Sequence, residues 1–358
     1  MPGNPFFDAG GPAEPAPREA GGRAEPALRE AGSSFVIATR NRPDDLLHTV
    51  RSLVAQTVLP AELVIVDSSD DTPTRTTIEE VCSAAGIKLD YHHPAPRGLT
   101  VQRNVGLDRS TGDPVFFVDD DVWLDPDCHE EVLKEYERWG RAGRLGERPE
   151  GLPLGGVRAA PKRPARPSPG TRIYRRIFGI GGWWPEASGK IRPGFYAEGV
   201  SESAGVRRLE YFNGWFMSYR REVFEHERFD EALAGYAYKE DIDFSYRVSR
   251  RYVLVQTPAA RCDHLKSGAS RLSSHQLQRM NLANQFYLHR KLMPQTAFHR
   301  AALWWAWIGL FILNAGKAVQ TRDPGLVTGM VAGAWEQLRG HGLVDPAAEA
   351  RVAPGAKA

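Results

Sequence analysis

Hydrophobic and polar positions alternate in blocks from residue 33 onward. "SFVIAT", Ser34 to Thr39, is an apolar run of strand length. Pro43 then opens a stretch in which Leu46, Leu47, Val50, Leu53 and Val54 share one helical face. The unit returns. "ELVIVD" reads as a strand ending at Asp67, "TPTRTTIEEVCSAAG" as a helix stopped by Gly86, and "IKLDYHH" as a strand. "GLTVQRNVGLDRSTG" reads as a helix ending near Gly112, and "PVFFVDDD" as a fourth strand. Strand and helix alternating at this spacing predict an α/β domain, a mostly parallel sheet with helices on both faces.

Sheets of this kind bind ligands beyond the carboxyl ends of their strands. The polar clusters fall at those ends: Thr39, Arg40 and Asn41; Asp67 to Asp71; His92 and His93 with Arg97; and Asp119, Asp120 and Asp121. Carboxylates crowded in this way repel one another unless something positive joins them. Alternation along a strand sends Asp119 and Asp121 to the same side, where they can ligate Mn2+ or Mg2+ and leave positions for phosphate oxygens. The plainer alternative is an acidic turn, with Asp125 before Pro126 capping the next helix. No glycine-rich phosphate loop follows the first strand, which argues against dinucleotide enzymes and P-loop NTPases. The phosphates of an anionic ligand would then be met by a cation on the aspartates.

Further along, "VRAAPKRPARPSPGTRIYRR" carries seven Arg or Lys and no acid. It is either a solvated loop or a basic segment near an anionic substrate or membrane surface. "KEDIDFSYR" sets Glu240 and Asp241 at a helix start, where they either complement the helix dipole or supply a general base. His264 ends the strand "YVLVQTPAARCDH" as a structural histidine or a third metal ligand. Residues 297–319 include an uncharged run from 301 to 316. That is short of the roughly 20 apolar residues a span needs, but Trp304, Trp305 and Trp307 suit a membrane interface. The alternative there is a core helix with an aromatic stripe.

Composition narrows the classes. The 358 residues are 42% hydrophobic and 25% charged, enough for one large domain with attachments or for two. A net charge of +2 gives no field that would favour nucleic acid. Cys82, Cys128 and Cys262 form neither a disulfide framework nor a zinc pattern, which points to a reducing, cytoplasmic setting. The N-terminus shows no charged-then-apolar signal segment. "AEPAPREAGG" returns as "AEPALREAGS", so residues 1–32 are expected to be a disordered low-complexity tail. The expected division continues with an α/β domain over 33–275, a helical and membrane-associated region over 276–345, and a tail over 346–358.

The ordered series of Thr39, Asp67, "RGLTVQRNVGLDRSTGDPVFFVDDDV", "FNGWFMSYRREVF", "KEDIDFSYR" and His264 resembles the inverting glycosyltransferases of family 2, which have the GT-A fold. The resemblance covers roughly residues 33–270 and implies that 33–275 is a catalytic domain, with 33–125 the nucleotide-binding half and 126–275 the acceptor half. It implies donor nucleotide contacts from Thr39, Arg40, Asp67, Arg97, Gln102, Arg103, Asn104, Asp119 and Asp120. It implies a Mn2+ or Mg2+ ion on Asp119 and Asp121, joined in some members by a histidine that His264 matches. Asn213, Gly214 and Trp215 fall on the acceptor side, and Asp241 matches the catalytic base with Glu240 beside it. The implied partners are a nucleotide-diphosphate sugar, UDP first, and a glycan or lipid-linked acceptor, met at the inner face of the membrane through peripheral contact by 297–335. The chain lacks the Q-x-x-R-W sequence and the many spans of processive synthases, so one sugar per event is expected. Two other readings stay open. A nucleotidyltransferase would show a glycine-rich basic loop where this chain has "TRNRPDD", and a non-catalytic nucleotide-sugar-binding protein or membrane scaffold would bind without turnover.

Overall fold

The structure is a computed structural model that describes residues 32–140, 152–163, 167–180, 189–200, 205–265 and 272–340. The readings of the two tails, 1–31 and 346–358, fall outside the described residues. The N-terminal half follows the alternation in the sequence. β1 (Ser34–Thr39), α1 (Pro43–Val54), β2 (Glu62–Asp67), α2 (Arg75–Ala85), β3 (Lys88–His92), α3 (Leu99–Arg109) and β4 (Val115–Asp119) succeed one another. β5 (Val122–Leu124), α4 (Cys128–Trp139), β6 (Leu154–Pro161), α5 (Pro169–Ile177), β7 (Arg207–Leu209) and β8 (Phe216–Tyr219) follow. α6 (Glu240–Val248), β9 (Val253–His264), α7 (Ser274–Leu292), α8 (Ala297–Thr321) and α9 (Gly325–Leu338) complete the described elements.

One nine-stranded sheet runs β3-β2-β1-β4-β8-β6-β9-β5, with β7 also on β9. The first four strands are parallel and end level, with Thr39 opposite Asp67 and Ala38 opposite Asp119. β8 is antiparallel to β4 and to β6, and β5 is antiparallel to β9. Period-two alternation sorts the strand residues into two cores. Phe35, Ile37, Leu63, Ile65, Phe116 and Val118 pack under α1, α2 and α4. Val36, Val64, Val66, Val115 and Phe117 pack against Leu107, Phe244 and Val248 on the other face. This is the expected α/β architecture with helices on both faces. α7, α8 and α9 form a further layer, whose core includes Leu282, Phe286, Leu303, Ala306 and Ala334.

Two local expectations change. The fourth strand stops at Asp119 instead of running through Asp121, and Asp120 and Asp121 form a turn before β5. Asp125 does not cap α4; the N-cap is Asp127, and it makes no side-chain capping bond.

Candidate active site

The level ends of β1, β2 and β4 place the first group of polar residues together. Asp67, buried, accepts a hydrogen bond from the Tyr91 hydroxyl at 2.6 Å and from the Ser69 amide at 2.8 Å. The Gln102 amide bridges the two strand ends, donating to the carbonyls of Thr39 at 3.0 Å and Val66 at 2.8 Å. The Thr39 hydroxyl donates to Asp120 at 2.7 Å, and Arg42 donates to the other oxygen of that carboxylate at 2.7 Å. Burial nonetheless pushes the Asp120 carboxyl up to about 7. The middle aspartate is thus turned back toward β1, and its neighbours are free to face elsewhere.

Asp119 and Asp121 meet through this turn, not through the pleat of a continuous strand. His264 joins them because β5 pairs with β9 in a register that sets Val122 opposite His264. Ligand atoms of Asp119, Asp121 and His264 all lie within 4.8 Å of one another, and His264 Nε2 is 3.0 Å from an Asp121 oxygen. Two carboxylates and one imidazole, with Asp119 and His264 partly open to solvent and Asp121 buried, fit Mn2+ or Mg2+ and leave coordination positions for phosphate oxygens. The His264 ring stacks on Trp215 with centroids 6.2 Å apart.

The second carboxylate pair begins α6. Asp241 accepts from the Gly214 amide at 2.6 Å and from the Ile242 amide at 2.8 Å. Gly214 keeps this contact uncrowded, since a Cβ would stand 3.1 Å from the Glu240 carboxylate and 3.2 Å from the Asp241 Cβ and would press them by a few tenths of an ångström. Arg103 on α3 joins the two carboxylate groups. Its buried guanidinium donates to Glu240, to Asp119 at 3.0 Å and to the Gly214 carbonyl at 3.0 Å. Burial, then the neighbouring Asp241, pushes the Glu240 carboxyl up to about 8 against the opposing pull of Arg103; burial raises Asp241 also.

Trp215 borders a third region. Arg158 of β6 donates to Asn213 at 2.6 Å and to Gln256 at 2.9 Å, and its guanidinium lies 5.8 Å from the Trp215 ring centre. Three expected residues lie apart from this convergence. Arg40 is exposed; Arg97 is exposed and pairs with exposed Asp70; Asn104 turns away to Phe229 and Glu231. Arg42 and Arg158 were not singled out from sequence. Arg158 carries a readable signal as a lone cation in an otherwise apolar strand, "LGGVRAAP".

Asp119, Asp121 and His264, which could hold a metal ion, are thus bridged by Arg103 to a second carboxylate pair, Glu240 and Asp241. Residues 34–185 match the model of glycosyl transferase family 2. The uncharacterized glycosyltransferase YwdF of Bacillus subtilis (strain 168) is 31% identical over 106 residues, which are 29% of this chain and 38% of the relative. The succinoglycan biosynthesis protein ExoM of Rhizobium meliloti (strain 1021) is 29% identical over 113 residues, 31% of this chain and 36% of the relative. The matches thus span little more than a third of those relatives. The mannosyltransferase PcManGT from Pyrobaculum calidifontis, solved with GDP-Man and Mn2+, aligns over 86% of each chain with a TM-score of 0.51 and 15% identity. That likeness concerns the fold, which is GT-A.

Proposed function

We propose that the chain transfers a single sugar, with inversion, from a nucleotide-diphosphate sugar to a hydroxyl of a glycan or lipid-linked acceptor. UDP is the first donor nucleotide to test. One observation carries the reading: Arg103 joins Asp119, of the Asp119–Asp121–His264 triad, to Glu240, next to Asp241. A donor diphosphate and an attacking hydroxyl can therefore meet at one place.

Asp119, Asp121 and His264 would hold Mn2+ or Mg2+, which offsets the charge that develops on the leaving diphosphate. Asp67, Thr39 and Asp120 shape the nucleoside end of the site. Asp241 accepts the proton of the acceptor hydroxyl while that oxygen forms its bond to the anomeric carbon. The bond from that carbon to the diphosphate oxygen breaks with its electron pair leaving on the diphosphate. One displacement inverts the centre and needs no protein nucleophile. Asn213, Gly214 and Trp215 border the acceptor.

Contact with the cytoplasmic face of the membrane through 297–335 belongs to the same proposal. α8 has the length and composition to cross a membrane, its most apolar window is only 17% buried, and Trp305, Ile308 and Ile312 are exposed on it. The basic helix α5 lies against it, with the Trp305 indole donating to the Ile177 carbonyl.

Calorimetric titration of UDP, GDP and dTDP, with and without Mn2+, tests the reading beside the variant Asp119→Ala with Asp121→Ala. Metal-dependent binding of one nucleotide, lost in the variant, is expected. Failure of every nucleotide to bind under every condition would overturn the transferase reading in favour of a scaffold. In the same preparations, co-sedimentation with vesicles containing anionic lipid tests the membrane contact, and a protein that stays in the supernatant refutes it.

A further inference from the structure

The segment that carries the acid pair is gripped from the C-terminal layer. Ala237 and Lys239 adopt left-handed backbone, with φ of 49° and 76°, which residues other than glycine keep only where their surroundings enforce it. α7 supplies the enforcing contacts at three points. Asn284 donates to the Tyr238 carbonyl at 2.8 Å. The Lys239 ammonium donates to the side-chain oxygen of Gln285 and lies 5.1 Å from the Tyr196 ring centre. Lys291 donates to Asp243 and to Asp230, each at 2.7 Å. Gln285 is itself fixed: it is fully buried, and its amide donates to the carbonyls of Gly194 and Phe195. Leu288 closes the contact by packing with Ala237, Leu233 and Phe195.

These contacts flank Asp241 on both sides in sequence, at 238–239 and at 243. Asp241 meets the Gly214 amide only if this segment keeps its path. We propose that α7 is a splint for the general base, with Gln285 and Lys239 as positioning residues that hold Asp241 where an acceptor hydroxyl can reach it. Neither residue touches the donor side, so loss of the clasp should fall on turnover and spare nucleotide affinity. The inference rests on the proposed transferase reading. A merely structural role, fastening α7 to the body of the protein, would lower stability without separating these two quantities.

The experiment uses the full chain with Gln285→Met, Lys239→Met and Lys239→Arg, the last of which keeps a cationic donor for the Gln285 oxygen. Three quantities are read: calorimetric affinity for UDP with Mn2+, release of UDP from UDP-glucose, UDP-galactose and UDP-N-acetylglucosamine, and amide hydrogen exchange over 236–244. The methionine variants should lose roughly tenfold to 10²-fold in kcat with unchanged UDP affinity. Their exchange over 238–243 should rise about tenfold, and Lys239→Arg should retain most of the wild-type rate and protection. Unchanged exchange would overturn the splint, as would loss of kcat in step with UDP affinity or equal failure of Lys239→Arg. If wild-type protein binds no nucleotide, the transferase reading falls. Exchange over 236–244 then still decides whether α7 holds the segment.

Discussion

Replacing Arg103 with methionine removes one cation from three acceptors at once. The guanidinium is 3% exposed and pairs with Glu240, whose side chain is 7% exposed, and with Asp119, which is 32% exposed. Breaking a buried ion pair from one side costs about 3–5 kcal/mol where the remaining charge stays buried; Glu240, whose carboxyl already sits at about 8, takes up a proton instead, which limits its share. Water reaches Asp119 and screens that half, so the loss that remains falls on Glu240 and on the Gly214 carbonyl left without its donor. A value near the lower bound, about 3 kcal/mol, is expected. At roughly 2–4 °C per kcal/mol, the thermal midpoint should fall by about 6–12 °C. Mn2+ gives the reasoning a second check. In the variant, a cation on Asp119 replaces part of the missing positive charge, so added Mn2+ should raise the midpoint more than it does in the wild type. Thermal melts followed by near-UV circular dichroism, with and without 1 mM-scale Mn2+ (roughly the range of open carboxylate sites), measure both quantities. A variant that melts with the wild type, or that gains no more from Mn2+, would refute the bridging role.

Two further outcomes follow from the geometry. Asp241→Asn should lower kcat by about 10²–10⁴-fold, the usual contribution of a general base, while metal-dependent UDP affinity stays as in the wild type; a parallel loss of affinity would place Asp241 on the donor side instead. Glu62, at the start of β2, is a pH sensor for folding. Burial alone would raise its carboxyl, but bonds from the Ser34 hydroxyl, the Thr111 amide and hydroxyl and the Gly112 amide pull it from 4.5 to about 2. A depressed carboxylate stabilises the fold above its unfolded value and loses that contribution as the pH falls. The drop of about 2.5 units corresponds to about 3 kcal/mol, present above pH 4.5 and fading toward pH 2. Urea unfolding of wild type and Glu62→Gln should therefore converge over that window, and a constant difference between them would contradict it.

The parallel half of the sheet was legible because β1, β2 and β4 are buried on both faces and its helices carry one apolar stripe. The triad was legible only in part. Alternation within a strand predicted that Asp119 and Asp121 would meet. They do, but through a turn that Asp120 makes by binding Thr39 and Arg42, a long-range contact with no local signature. His264 reaches them through the β5–β9 pairing, between residues more than 130 positions apart, which periodicity cannot register. Arg103 sat within a quoted segment, but its partners Glu240 and Asp119 come from distant parts of the chain. The hold of α7 on Tyr238 and Lys239 was invisible for the same reason: amide and ammonium side chains on a helix read as surface until the packing is known.

Trp215 has two neighbours of different kinds. One ring contact leads to His264 and the metal-ligand triad, and the other to Arg158 and Asn213. Under the proposed function, in which Trp215 borders the acceptor, a substitution there that widened the acceptor range would also loosen the histidine. Selection for a new acceptor would then act on two traits through one residue, with gains on one side set against losses on the other. Lineages free to diversify their acceptors should keep this indole and vary residues that do not touch the triad.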